Sequence, residues 1–436
     1  MIDTAAAVTQ QQTPGQIASD EQTAITKDRF FSVFTQEIVD SWNIHWEVFQ
    51  DTAMVFDAPQ KRVAIRNIEE RFKKFKGPVT TDFLTLSGQV AQIKRQMEVV
   101  HETRLEQVAL EYFAGLFPQA RVEISEKTGG VQLGLKIRVQ LADQVRVYHV
   151  KTHAEGRLQE NSTAAKMVDA KELFVYKLLE FLGIGPMAYF FQRSPEDFYI
   201  ATLDASMDPK SQQPGEFLTF DLWKAQAELL PKLVGFFSTL KFADLKEVDR
   251  IETEAQSDRT AQKFMHDVMK LDLLSRILRL GDTTTNPANF GFNHFPAHVC
   301  NICLIDFRVP DKKEPLIVTQ DNVGGFLEGN GEFNYNGEHP GVKYALHNRS
   351  RVLRVVSALD ILGTDFAKFA ECADAAHKFI YHYIGTAEVL KQKADELITE
   401  LDRYRDAVKQ NFSFFENRLR FVLPTTSEHK RPRDQM

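Results

Sequence analysis

Leu280–Pro310 reads LGDTTTNPANFGFNHFPAHVCNICLIDFRVP, and the way this stretch folds decides what the rest of the chain can be. Asp282 and Asn289 follow the end of a helical pattern. An apolar strand then runs through Ile302, Leu304 and Ile305 and ends in a second acid, Asp306. A carboxylate at the end of a buried run calls for a partner or a metal. Enzymes that move the γ-phosphoryl group of ATP need such a set: an acid near the acceptor, with an amide and a carboxylate to hold magnesium. Magnesium takes few hard oxygen ligands from protein and keeps several waters, so one Asn and one Asp suffice.

Upstream, Val145–His153 (VRVYHVKTH) alternates as a strand and carries Lys151. Glu172 follows within Lys171–Pro186 (KELFVYKLLEFLGIGP). There Phe174, Val175, Leu178, Leu179 and Leu182 recur at helical spacing, and Gly183, Gly185 and Pro186 stop the helix. A strand lysine and a helix glutamate in this order form an ion pair that aims the ammonium at ATP phosphates. Before that strand, Ile124–Gln140 (ISEKTGGVQLGLKIRVQ) reads as a hairpin whose turn holds Gly129, Gly130 and Gly134. Glycine there lets backbone amides approach phosphate oxygens closely.

The order is a glycine-rich hairpin, a strand lysine, a helix glutamate, an acidic loop with Asn, and a strand-ending Asp. It resembles the protein-kinase-like superfamily over roughly residues 120–380. GGVQLG stands for the usual G-x-G-x-x-G, no H-R-D triplet occurs, and D-F-R replaces D-F-G. These departures resemble the lipid kinases and small-molecule phosphotransferases more than the protein kinases proper.

The resemblance implies an α+β, two-lobed kinase-like fold that binds ATP and magnesium. Gly129, Gly130, Gly134 and Lys151 would contact nucleotide, Glu172 would position Lys151, and Asn289 and Asp306 would hold the metal. In kinase-like enzymes the catalytic Asp usually precedes the metal-binding Asn by five positions, and here that position is Thr284. Asp282 lies two residues further back and is the candidate acid, reached through a longer loop. Asn286 is a possible second amide. The alternative is a pseudokinase that binds nucleotide and serves as an interaction scaffold. Each residue also has a plain structural reading: Lys151 and Glu172 as solvated charges, Asp282 and Asn289 as turn residues.

The remaining chain reads as a helical frame around this region. Residues 1–25 are polar and expected to be disordered. A helical extension follows over 26–118, first with Phe30, Phe31, Phe34, Ile38, Trp42, Trp46 and Phe49 on one face. Breaks are expected near Pro59 and at Gly77-Pro78, and then a long helix from Asp82 to Phe117 with Leu86, Val90, Ile93, Met97 and Val100 in a seam. The small lobe is expected over 119–204, ending in the strand Asp197–Ser206, and the large lobe over 205–385.

Within the large lobe, Asp258–Leu280 reads as a helix with Phe264, Val268, Leu271, Leu274 and Leu278 on one face and Gly281 at its end. Asp321–Gly341 holds six glycines and reads as a substrate or surface loop. A long amphipathic helix is expected over 386–424, with Leu390, Ala394, Leu397, Leu401, Tyr404, Val408, Asn411 and Phe415 in its seam, and a basic tail over 425–436. The two long helices are candidates for pairing with each other, with a partner protein or with a second copy.

Composition narrows the classes. Across 436 residues, 43% are hydrophobic and 26% charged, which fits a folded chain of more than one domain. A net charge of −7 argues against a general nucleic-acid binder, because phosphate contacts demand a cationic face. No apolar run reaches membrane-spanning length, so the expected location is cytoplasmic, with His429–Arg433 (HKRPR) as a short nuclear-type signal. Cys300 and Cys303 form a C-x-x-C inside an expected strand, where residues three apart face opposite ways. With Cys372 as the only other cysteine, they read as thiols of a reducing compartment.

Overall fold

The computed structural model describes residues 46–126, 134–142, 144–152, 168–193, 197–208, 214–219, 271, 273–283, 287–295, 298–311, 313–319 and 366–422. The fold is of the α+β class, and the described residues fall into two compact units. The first holds those up to Val168 together with Tyr189–Ala201; the second holds Asp169–Ala188 and those from Thr202 onward. Among the described residues no helix is long and apolar enough to cross a membrane.

In the first unit, helix α1 spans Pro59–Lys74 and helix α2 spans Thr81–Leu116. The break expected near Pro59 is present: residues 51–58 are not helical, and α1 starts at the proline. Proline occupies the first helical turn, where its missing N–H leaves no bond unmade. Arg71, Lys73 and Lys74 then place positive charge in the last turn, against the negative end of the helix dipole. Thr80 caps α2 by accepting from the Phe83 N–H at 3.1 Å.

The α2 seam begins as expected with Leu86, Val90, Ile93 and Met97, all buried. It continues through His101, Leu105, Ala109 and Phe113, leaving Val100 half-buried. Its first half packs with Trp46, Phe49, Ala64, Ile65, Ile68 and Phe72 into one apolar cluster, so a partner within the unit covers it.

Five strands form a sheet in the order β1-β2-β3-β5-β4, where β1 is Arg121–Glu126, β2 Gly134–Gln140, β3 Val145–Thr152, β4 Ala188–Gln192 and β5 Phe198–Leu203. The pairs β1–β2 and β2–β3 are antiparallel. In β2, Leu135, Ile137 and Val139 are buried while the residues between them face outward, the period-two pattern of a half-buried strand.

A charged cluster is buried in the same unit. Arg62 donates to the Asp57 carbonyl (2.8 Å) and to Asp197 Oδ1 (3.1 Å), and its Nη1 lies 2.6 Å from His101 Nδ1. Arginine can only donate, so Nδ1 of His101 holds a lone pair and the ring proton sits on Nε2. Arg104 pairs with Asp57, and Arg193 lies 3.5 Å from Asp197.

In the second unit, helix α3 spans Ala170–Leu182. Asp169 caps its start through the Lys171 N–H at 2.9 Å, and Gly183 ends it with φ 72°, as expected from the glycine there. Strands β6 (Glu216–Thr219), β7 (Phe290–Phe295) and β8 (His298–Leu304) form an antiparallel sheet in sequence order. Gly291 lies so near β6 that a Cβ would sit 2.1 Å from the Leu218 carbonyl oxygen, which requires glycine.

Helix α4 covers Phe366–Thr386. The segment expected as one helix from residue 386 is a 3-10 turn, Glu388–Lys393, leading into α5 at Ala394–Val422. Helices α3, α4 and α5 pack together. Every expected α5 seam residue is buried except Ala394, which is half-buried.

Residues 1–45, Phe264 and Val268, Thr284, Asn286, the glycine-rich segment 321–341 and the tail 425–436 lie outside the described residues.

Candidate active site

The loop that holds Asp282 is built by two unusual backbone positions and one bridge. The helix before it closes through the Leu280 N–H to the Ser275 carbonyl, 2.8 Å, with Arg279 at φ 56°. That is a Schellman-type closure in which Arg279, and not the expected Gly281, takes the left-handed position. Gly281 is instead bonded in both directions to Arg308, N–H to carbonyl at 2.8 Å and 3.0 Å. A Cβ there would lie 3.0 Å from the Arg308 guanidinium, so glycine serves close approach. The bridge ties the entrance of the loop to the residue two beyond Asp306.

Asp282 has φ 58° and is exposed, while Thr283 next to it is buried. Left-handed backbone costs a non-glycine residue roughly 1–2 kcal/mol, least for Asn and Asp, and such positions concentrate at functional sites. A 3-10 turn, Pro287–Asn289, then leads into β7. Asn289 is buried, and its Nδ2 donates to the Asp282 carbonyl at 2.7 Å. Its own carbonyl accepts from the N–H groups of Ile305 (2.8 Å) and Asp306 (3.2 Å).

Asp306 Oδ1 accepts from the Phe307 N–H at 3.0 Å and from the Tyr176 hydroxyl at 3.5 Å. Asp282, Asn289 and Asp306 thus lie on one continuous chain of hydrogen bonds. Asp306 does not end the strand as expected: β8 stops at Leu304, whose N–H turns to the Ile184 carbonyl at 2.8 Å.

Because the Asn289 amide nitrogen is committed to a carbonyl, its Oδ1 is the atom able to face a cation. An amide oxygen and a carboxylate, as on Asn289 and Asp306, are hard-oxygen donor types of the kind magnesium accepts. Among the described residues no group of three or more His, Cys, Asp or Glu side chains could hold a metal.

The other expected residues belong to different units. Gly134 and Lys151 face each other across β2 and β3, with Lys151 half-buried, in the first unit. Glu172 is half-buried in the first turn of α3, in the second unit. Gly129 and Gly130 lie outside the described residues. Cys303 is buried in β8, where burial pushes its thiol up to about 12 despite the Asn293 amide beside it. Cys372 is buried on α4.

Sequence reasoning missed Tyr176 and Arg308. Tyr176 follows Glu172 by four residues and so shares its helix face, which was the available signal. The chain matches no known protein-family model, and no curated protein matches it in sequence.

Proposed function

We propose that the chain is an ATP- and magnesium-dependent phosphotransferase with a two-lobed kinase-like fold. One observation carries the reading: the Asn289 amide holds the Asp282 carbonyl at 2.7 Å while its backbone holds the Asp306 N–H at 3.2 Å. An acid, an amide and a second acid joined through backbone hydrogen bonds supply the residue types that phosphoryl transfer needs. The order of elements supports the same reading: Lys151 lies on the third strand of its sheet and Glu172 on the next helix.

In this reading Asn289 and Asp306 hold magnesium, which supplies neutralisation of the developing phosphate charge. Asp282, exposed on its left-handed turn, orients or deprotonates the acceptor hydroxyl. Lys151 and the glycines of the β1–β2 hairpin contact the nucleotide phosphates.

The test is calorimetric titration of the chain with ATP, with and without magnesium, on the parent and on Asp306→Ala. Binding that needs magnesium in the parent and is lost in the variant is the expected result. ATP binding equal in both proteins removes Asp306 from the metal site and refutes the assignment. Magnesium-dependent binding without phosphate transfer to any acceptor class would leave the pseudokinase reading, with the long helices as interaction surfaces.

A further inference from the structure

We propose that Tyr176 is a positioning residue whose hydroxyl sets the Asp306 carboxylate for magnesium, coupling helix α3 to the metal site; this rests on the phosphotransfer reading above. Tyr176 is only 1% exposed, and a hydroxyl removed from water needs a polar partner. Asp306 Oδ1 lies 3.5 Å away and also accepts the Phe307 N–H at 3.0 Å. Oδ1 thus accepts from two donors, which together fix the orientation of the carboxylate. A bond of 3.5 Å is long, as bonds at catalytic groups often are before the ligand tightens them.

Two further contacts tie the same segment to α3 and the turn after it. The Phe307 ring packs on the Tyr176 ring at 4.6 Å, and the Leu304 N–H donates to the Ile184 carbonyl at 2.8 Å. Tyr176 lies one turn after Glu172 on the same face of α3. A shift of α3 that moves Glu172 therefore moves the group holding Asp306, so the two functional residues answer to one helix.

Tyr176→Phe tests this, because it removes the oxygen and keeps the ring. ATP binding is titrated by calorimetry over a magnesium series on the full chain, alongside the melting midpoint without ligands. Partners that orient metal ligands typically contribute 10- to 100-fold in metal affinity, so the half-saturating magnesium concentration is expected to rise about 10-fold or more. ATP binding without metal and the unliganded midpoint are expected to stay near the parent values.

Phe307→Leu, which removes the ring contact and leaves the hydroxyl, is expected to keep the parent's magnesium requirement. An unchanged requirement in Tyr176→Phe overturns the inference alone. An equal rise in Phe307→Leu assigns the effect to packing and overturns it too. A parent chain that binds no ATP at any magnesium concentration overturns the phosphotransfer reading and this inference with it.

Discussion

Asn411 offers the sharpest test of how the second unit holds its loops. The side chain is 1% exposed and makes three bonds to backbone. Its Nδ2 donates to the carbonyls of Ile277 and Leu316, both at 2.8 Å, and its Oδ1 accepts from the Val318 N–H at 2.6 Å. Two carbonyls and one N–H also fix which end of the amide is which. Ile277 belongs to the helix that delivers the chain to Gly281 and Asp282, so α5 braces the candidate site from behind.

Asn411→Ala leaves the buried Ile277 carbonyl and Val318 N–H and the half-buried Leu316 carbonyl without this partner, each costing about 1–3 kcal/mol. Taking the low end for each gives roughly 3 kcal/mol in total. For a unit of this size that lowers the melting midpoint by roughly 6–12 °C. Asn411→Asp is nearly the same shape, yet it turns an acceptor toward two carbonyls and is expected to destabilise at least as much. Thermal melts of the three proteins by circular dichroism decide the matter. A midpoint for Asn411→Asp within about 2 °C of the parent, well short of that range, would refute the bonding account.

Three other outcomes follow from the same geometry. Asp282→Asn is expected to keep ATP affinity and lower turnover by roughly 10²-fold or more, measured as phosphate transfer under saturating ATP; parent-like turnover would remove Asp282 as the acid. Arg62→Ala removes the buried ion pair to Asp197 and is expected to cost about 3–5 kcal/mol in urea melts; a loss under about 1 kcal/mol would make the cluster dispensable. Cys303, held neutral by burial, favours the fold fully below the ordinary thiol value, and this contribution falls as pH rises from there toward about 12. Peptide mapping after iodoacetamide at pH near 8 is therefore expected to find Cys303 unmodified in native protein and modified in denatured protein.

What was legible in the sequence was local. The α2 seam, the Gly183 stop and the α5 seam each come from spacing within a few turns, and each element forms where its pattern lies. The errors came where a local signal had a second explanation. Gly281 invites a left-handed helix end, but Arg308 needs the space beside it and Arg279 takes the turn.

The α2 seam drifts from Val100 to His101 because a straight helix of 3.6 residues per turn outruns a 3.5-residue repeat. The residue it reaches is polar, and its partner Arg62 stands 39 positions away. Tyr176 and Asp306 are 130 positions apart, and no periodicity joins them.

The interval between Asp282 and Asn289 can be weighed against the bonds that hold its ends. Seven positions replace the usual five, and from sequence this argues against Asp282. Yet the loop's ends are fixed independently, by the Gly281–Arg308 bridge on one side and the Asn289 bonds to Ile305 and Asp306 on the other. With the ends fixed, two more residues in the loop add closure entropy of only about 0.3 kcal/mol, since that cost grows with the logarithm of length. A single charge-free bond such as Asn289 to the Asp282 carbonyl contributes about 0.5–1.5 kcal/mol and outweighs it. The bond, not the count of residues, decides where Asp282 stands, and so the longer interval is compatible with the same acid–amide–acid arrangement.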